Sequence, residues 1–515
     1  MHPLHPVDYI VLAFYLAAVV AVCVRVTRRA PDAEELFLAG RTLGIGVVGL
    51  SLFASNISST TLIGLPGAAW QSGISVANYE WWAALVLVFT AVFVLPVLIG
   101  SRITTLPEML ERRYDARTRK YLSAVSVFLS VVLDTAGSLY AGALVLMLFI
   151  PGLSLWPTCA ALAVFTGLYT AAGGLRAVAL TDVLQSLVLL VGSLWLAILV
   201  FGEFDYSWSA VVAALPADKL SLIRPWDDPV LPWIGTLVGL PILGFYYWTM
   251  NQYVSQRLLG ARDIRTAGWG AMLAATLKLL PLFLMVLPGV MAAALFTDLE
   301  RADTVFPRLV ATYAPIGVAG IIIAGLIAAI MSSIDSALNS ASTLITLDFI
   351  APRRPGLDAK ALARLGRIIT LSLVAVAALW APMIDRFPGL FAYLQQGFAY
   401  VTPPLVAIFL LGLFNRGINA SAALYACATG HAVSAAWFVA TQAGLLGIHF
   451  TVVAGILLAI TVVAAFAWQR WLGEPPAAAQ LEAVTPARYA PLPVAVRYCA
   501  VALTLVVVAI VAAFW

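Results

Sequence analysis

The hydropathy of this chain repeats on the length scale of a lipid bilayer. Apolar runs of about 20 residues, each able to carry a helix across roughly 30 Å of hydrocarbon, recur from end to end and divide the sequence into about 14 spans. They fall near residues 7–26, 44–70, 77–100, 120–150, 156–173, 179–202, 231–256, 268–297, 313–348, 364–383, 388–414, 420–441, 447–468 and 493–514. With 62% hydrophobic and only 10% charged residues, no soluble fold can cover such a surface. The expected fold class is therefore an all-α integral membrane protein.

The first run, Val7 to Val26, has no Lys or Arg before it and "RVTRR" after it, which reverses the charge order of a signal peptide. It reads as a retained helix with its N-terminus outside. The connections "RVTRR", "ERRYDARTRK", "RLLGARDIR" and "APRRPGLDAKALARLGR" then all face the cytoplasm, with about 23 of the 29 Lys and Arg on that side. An even span number puts the C-terminus outside as well, so a multi-pass protein of the inner or plasma membrane is expected. The outer loop Gly202 to Pro229, with "PADKLSLIRPWDDP", suits an ordered external cap.

Four cysteines and four histidines are scattered without metal-ligand spacing, and no HExxH or Gly-rich phosphate loop occurs. This disfavours a metalloprotease or an ATP-driven pump. The net charge of +4 is spent on orientation, so nucleic-acid binding has no support, and no obligatory protein partner is evident. A membrane enzyme would need a nucleophile, a metal cluster or a paired acid and base facing water, and no such constellation is present. Transporter, channel and receptor remain.

Ionisable groups inside hydrocarbon cost about 2.5–3.5 kcal/mol each on insertion scales, so Glu80, Asp134, Asp182, Lys278 and Asp335 each call for a reason. Taken singly, any of them can be a structural partner of another. In "SLFASNISSTTLIGLPGAAW", Ser55, Asn56, Ser58, Ser59, Thr60 and Thr61 interrupt the second span ahead of Gly64, Pro66 and Gly67. Hydroxyls can merely back-bond within a membrane helix, but this density favours a broken helix whose freed carbonyls and amides bind ion and substrate. The seventh span, "LVGLPILGFYYWTMNQYVSQR", repeats the pattern five spans later, as an inverted repeat would. In "IAAIMSSIDSALNSASTLITLDFI", Ser332, Ser336, Asn339, Thr343 and Thr346 form one polar stripe beside Asp335. Small residues also serve helix packing, but packing does not require a carboxylate, whereas an oxygen cage for a hard cation does.

With these features in view, the chain resembles the sodium/solute symporter family, in particular its sodium/glucose cotransporter-like branch. "ASNISSTTLIGL", "YTAAGGLRAVALTDVLQS", "YYWTMNQYVSQRLL" and "SSIDSALNSASTLITLD" carry the likeness within roughly residues 40 to 415. The resemblance implies a LeuT-like core of two inverted five-helix repeats, with broken second and seventh spans. Residues 1–40 would be a peripheral helix and linker, 41–202 the first repeat, 203–415 an external loop and the second repeat, and 416–515 three peripheral helices. It implies Na+ as coupling ion, held at Ala54, Ile57, Ala329, Ser332 and Ser333. It also implies a possible second sodium at Asp182, Ser332, Asp335 and Ser336, where Asp335 can instead take a proton. The substrate positions it implies are Asn56, Thr61, Glu80, Lys278 and Gln395, with Tyr247 as inner gate and Trp248 beside it.

These side chains suit a sugar or polyol, whose hydroxyls both donate and accept. The sequence departs from the sugar branch at Thr61, Gly244 and Ala83, where a larger His or Gln, an Asn and a Ser are usual, which leaves the sugar open. Relatives carrying sialic acid hold its carboxylate with an arginine on the fourth span. Here no arginine is expected within the membrane, and Asp134 stands nearby. The alternatives are a symporter of another solute, such as sialic acid or another carboxylate, an amino acid or an amine, and a non-transporting sensor or channel on the same fold.

Overall fold

Backbone amides in hydrocarbon must bond within their own segment, and the architecture follows that demand. The computed structural model describes residues 5–27, 38–57, 59–149, 152–387, 389–484 and 489–514. Among them every regular element is helical, apart from an isolated bridge between Leu43 and Ala261. Ten helices are long and apolar enough to cross a membrane, or eleven if Ile45–Asn56 and Thr61–Ser72, bent by 54°, form one span. The expected run at 7–26 coincides with the 22-residue helix Pro6–Thr27, and the run at 231–256 is interrupted within its length.

The helix Leu155–Gly202 joins the fifth and sixth expected runs over 48 residues. Asp182 meets Ser332, and Gly192 lies against Ile322, so this part runs antiparallel to Val318–Leu344. That register would set Thr170 about eight or nine residues beyond its actual partner, Asp335, or roughly 13 Å at 1.5 Å per residue. The helix therefore bends between Thr170 and Asp182, within the expected connection.

Val318–Leu344 is buried along nearly its whole length and forms the centre of the bundle. Asp8 of the first helix pins its N-terminus, its Oδ1 accepting from the Gly317 and Gly320 amides at 2.8 Å each. A carboxylate there satisfies otherwise orphan donors and meets the positive end of the helix dipole. Outward faces are apolar in the opposite sense: Phe14, Val164, Leu187, Val376, Val463 and Leu505 are exposed, as lipid contact requires.

The loop Gly202 to Pro229 is held by several hydrogen bonds. Asp228 Oδ1 accepts from the Val230 and Leu231 amides at 2.9 Å, its Oδ2 takes Arg224 Nε at 2.7 Å, and Asn78 Nδ2 holds the Leu222 carbonyl at 2.8 Å. Gly73 makes the close approach possible: its φ is +82°, and a Cβ would lie 2.3 Å from the Lys219 carbonyl oxygen.

Two arginines of the connections expected to face the cytoplasm, Arg113 and Arg257, are fully buried inside the helix bundle. Arg113 closes the end of Leu390–Phe414, donating to the carbonyls of Gly412, Asn415 and Ile418 at 2.9–3.0 Å. Unpaired carbonyls at a helix end attract such a group.

Candidate functional site

The second span breaks after Asn56, where Ile57 (ψ 74°) leaves helical geometry and its amide closes back on the Phe53 carbonyl at 2.9 Å. Ser58 lies outside the described residues, as do the side chains of Ser59 and Thr60. The seventh span is interrupted differently. Trp233–Val238 and Leu240–Phe245 lead into a π-helical turn, Tyr246–Met250, and extended Asn251 separates that turn from Gln252–Leu259. A second π turn, Ser130–Thr135, carries Asp134 in the fourth span. Wide turns of this kind re-aim side chains and recur at functional sites.

Between these irregular segments lies a cavity of about 110 Å³. Of the seven expected substrate residues, Asn56, Thr61, Glu80, Tyr247, Trp248 and Gln395 line it. Lys278 does not, but it bonds Glu80 Oε2 and places its ammonium 5.0 Å over the Trp248 ring. The ion pair neutralises Glu80, and the aromatic face adds to the stabilisation of the buried cation.

Tyr247 packs edge-on against Tyr253 (5.7 Å) and Phe398 (6.1 Å) at the end of the cavity nearer the seventh span's exit. Tyr79 and Phe391, 5.1 Å apart and edge to face, line it near the starts of the third and eleventh spans. These aromatic boundaries were only half foreseen. Tyr79 had as its signal a place beside Glu80, whereas Phe391 had none.

The lining is rich in acceptors. Among the described residues, Asn56 Oδ1 and Asp134 Oδ2 are buried without a hydrogen bond of normal geometry, with Asn251 the polar side chain beside Asp134. Thr61 has committed its proton to the Asn56 carbonyl at 2.8 Å. Buried acceptors of this kind call for a donor from water or ligand.

The five positions expected for the principal sodium flank the same break. Val318–Leu344, which carries Ala329, Ser332 and Ser333, packs against both halves of the second span, and Ala54 and Ile57 are buried there. Ser333 lines the cavity and donates its proton to the Ala329 carbonyl at 2.8 Å; Ser332 donates to Asp182 Oδ1 at 2.5 Å. Each hydroxyl has one proton to give, so both are left with lone pairs, the form that suits a hard cation.

The other cation set divides. Asp182, Ser332 and Ser336 converge around Arg257, while Asp335 takes the hydroxyl of Thr170. Arg257 Nη2 lies 2.9 Å from Asp182 Oδ2 and 2.6 Å from Ser336 Oγ, Nε donates to Ser51 Oγ at 2.6 Å, and Nη1 holds the Tyr253 carbonyl. Ser51 in turn donates to Asp182 Oδ2 at 2.5 Å.

With this geometry in hand, comparison with known proteins is informative. The model of the sodium:solute symporter family matches residues 36–430. The sodium/mannose cotransporter SLC5A10 of Bos taurus is 35% identical, over 83% of this chain and 78% of its own length. The sodium/myo-inositol cotransporter 2 of Oryctolagus cuniculus is also 35% identical, over 83% and 69%. A Na+-coupled sialic acid symporter, solved substrate-bound and outward-open, superposes with a TM-score of 0.80 at 24% identity, over 92% of this chain and 99% of that one. That likeness shows a shared fold.

Proposed function

The chain belongs to the sodium:solute symporter family, as a multi-pass membrane transporter and not an enzyme, and on that premise we propose that it imports a small neutral polyhydroxy solute with sodium by alternating access. The observation that carries the substrate class is the pair of donor-seeking oxygens, Asn56 Oδ1 and Asp134 Oδ2, in a cavity whose other carboxylate is already neutralised by Lys278. A polyol brings hydroxyl protons to both. A carboxylate substrate would lack a cationic partner in this cavity, because the neighbouring lysine, Lys278, is taken by Glu80. Mannose and myo-inositol, named for two relatives, are solutes of this chemistry.

In this reading sodium binds among the Ala54, Ile57 and Ala329 carbonyls and the Ser332 and Ser333 hydroxyls. It thereby ties the broken second span to the central helix and closes the path above the substrate. Each ion moving inward gains about 2.3 kcal/mol per 100 mV, before its concentration gradient is added. The full set of 14 spans, the two inverted repeats and the external placement of both termini belong to the same proposal, supported by the placement of basic connections and the two dissimilar helix breaks.

Asp134 also supports a second reading, a cationic amine as substrate. Uptake into proteoliposomes under an inward sodium gradient separates the two. Myo-inositol or mannose should accumulate and choline should not, and Asp134→Asn should raise the half-saturation for the polyol about tenfold or more, as befits a hydrogen bond to a charged group worth about 1.5–3 kcal/mol. Choline accumulation that Asp134→Asn abolishes would select the amine.

A further inference from the structure

Basic residues at the end of the bundle near Asp348 fall into two groups. Arg112, Arg117 and Arg119 are matched by carboxylates: Arg112 by Glu108 at 2.5 Å, Arg117 by Asp115 at 2.7 Å, and Arg119 by Glu111 and Asp348 at 2.5 and 2.6 Å. Arg353, Arg354, Lys360, Arg364 and Arg367 are all exposed, and none of them forms an ion pair among the described residues. Asp358, the one carboxylate between Arg353 and Arg367, spends its Oδ1 on the Ala361 amide at 2.7 Å, capping the helix Ala359–Trp380. Lys360, Arg364 and Arg367 recur on that helix at steps of four and three, so they share one face. The next such step is Leu371, and the outward side from there on is apolar: Ile368, Leu371, Val376 and Leu379 are 55, 40, 53 and 69% exposed.

Orientation in a membrane calls for basic residues at one end of the spans, but not for a group of them gathered at one helix start without carboxylate partners. We propose that this face is a binding site for an anionic phospholipid. Its phosphate is held by Lys360, Arg364 and Arg367, with Arg353 and Arg354 in the connection just before them, and an acyl chain lies along Ile368, Leu371 and Leu379. Basic clusters flanking a membrane helix attract anionic headgroups, and charged N–H donors bond phosphate oxygens strongly. A soluble acidic partner would answer the charge alone. The unbroken passage from cations to exposed apolar side chains along one helix matches a molecule with charge at one end and hydrocarbon at the other. The site is also joined to the central helix, because Ser342 Oγ donates to the Gly366 carbonyl at 2.8 Å, between Arg364 and Arg367. A bound headgroup therefore steadies the helix that carries Ser332 and Ser333.

Native mass spectrometry of the delipidated full-length chain in a non-ionic detergent, titrated with dioleoyl phosphatidylglycerol or dioleoyl phosphatidylcholine, reads this binding without knowledge of the transported solute. Phosphatidylglycerol is expected to bind about tenfold or more tighter than phosphatidylcholine, and Arg364→Gln/Arg367→Gln to remove most of that preference. Arg364→Lys/Arg367→Lys, which keeps both charges, should retain most of it. So should Arg112→Gln/Arg117→Gln, which removes charges that carboxylates already match. Equal binding of the two lipids by the wild-type chain would overturn the proposal whether or not any variant folds, and so would an undiminished preference in folded Arg364→Gln/Arg367→Gln. Displacement of phosphatidylglycerol by excess inorganic phosphate would make this a site for a soluble anion and overturn its assignment to lipid.

Discussion

Glu80–Lys278 and Asp182–Arg257 are both carboxylate–cation pairs buried in the bundle, yet their surroundings differ. Lys278 has one ionic partner and an aromatic face, and Glu80 lines the cavity. Around Asp182 and Arg257, the hydroxyls of Ser51, Ser332 and Ser336 and the Tyr253 carbonyl complete a hydrogen-bonded network. A lysine is a compact charge that can shift between partners, whereas the planar guanidinium fork is fixed by several bonds at once. The comparison teaches a division of labour: the first pair is arranged to meet a ligand, and the second to hold helices together.

The largest test of that contrast is Asp182→Ala, which leaves the Arg257 charge buried without its partner. A loss of about 3–5 kcal/mol in unfolding stability is expected, most of it recovered in Asp182→Ala/Arg257→Met. Equal stability of the single and double variants would break the comparison. Next comes Glu80→Gln, expected to cost less stability than Asp182→Ala, because the glutamine oxygen still accepts from Lys278, while raising substrate half-saturation through loss of about 1.5–3 kcal/mol of charged hydrogen bonding. A collapse in stability instead would make Glu80–Lys278 a second structural lock. Ser333→Ala should raise the sodium half-saturation of uptake about tenfold, ~1.4 kcal/mol, with unchanged maximal rate.

The smallest effect concerns the outer cap. Burial alone pushes the Asp228 carboxyl up, but the Leu231 and Val230 amides and Arg224 together hold it below the ordinary value. Because its folded pKa is the lower one, its contribution is complete above the unfolded value of about 3.9 and is lost as pH falls through the folded one. Asp228→Asn should therefore lower stability by about 1 kcal/mol at neutral pH. The difference from wild type should close in thermal unfolding below pH 4.

Much of the site was legible because polarity inside an apolar run is expensive and hence conspicuous. Asn56, Thr61, Glu80, Tyr247, Trp248 and Gln395 stand out in the sequence for that reason, and they face one cavity. Arg257 was not legible. It directly follows an apolar run, where a basic residue ordinarily marks orientation, and nothing local signals that Asp182 lies opposite it. The π turns at Ser130–Thr135 and Tyr246–Met250 were equally hidden, since a single widened turn hardly disturbs a 3.6-residue pattern. The pairing of Asp335 with Thr170 likewise depends on a bend within Leu155–Gly202, and no periodicity could report it.

The central claim, sodium-driven import of a neutral polyol, is most directly tested by uptake of labelled myo-inositol, mannose and glucose into proteoliposomes holding the wild-type chain. The account predicts that at least one accumulates above its external concentration under an inward sodium gradient and not under an equal potassium gradient. Sodium-independent equilibration of all three, or accumulation of sialic acid in their place, would contradict it.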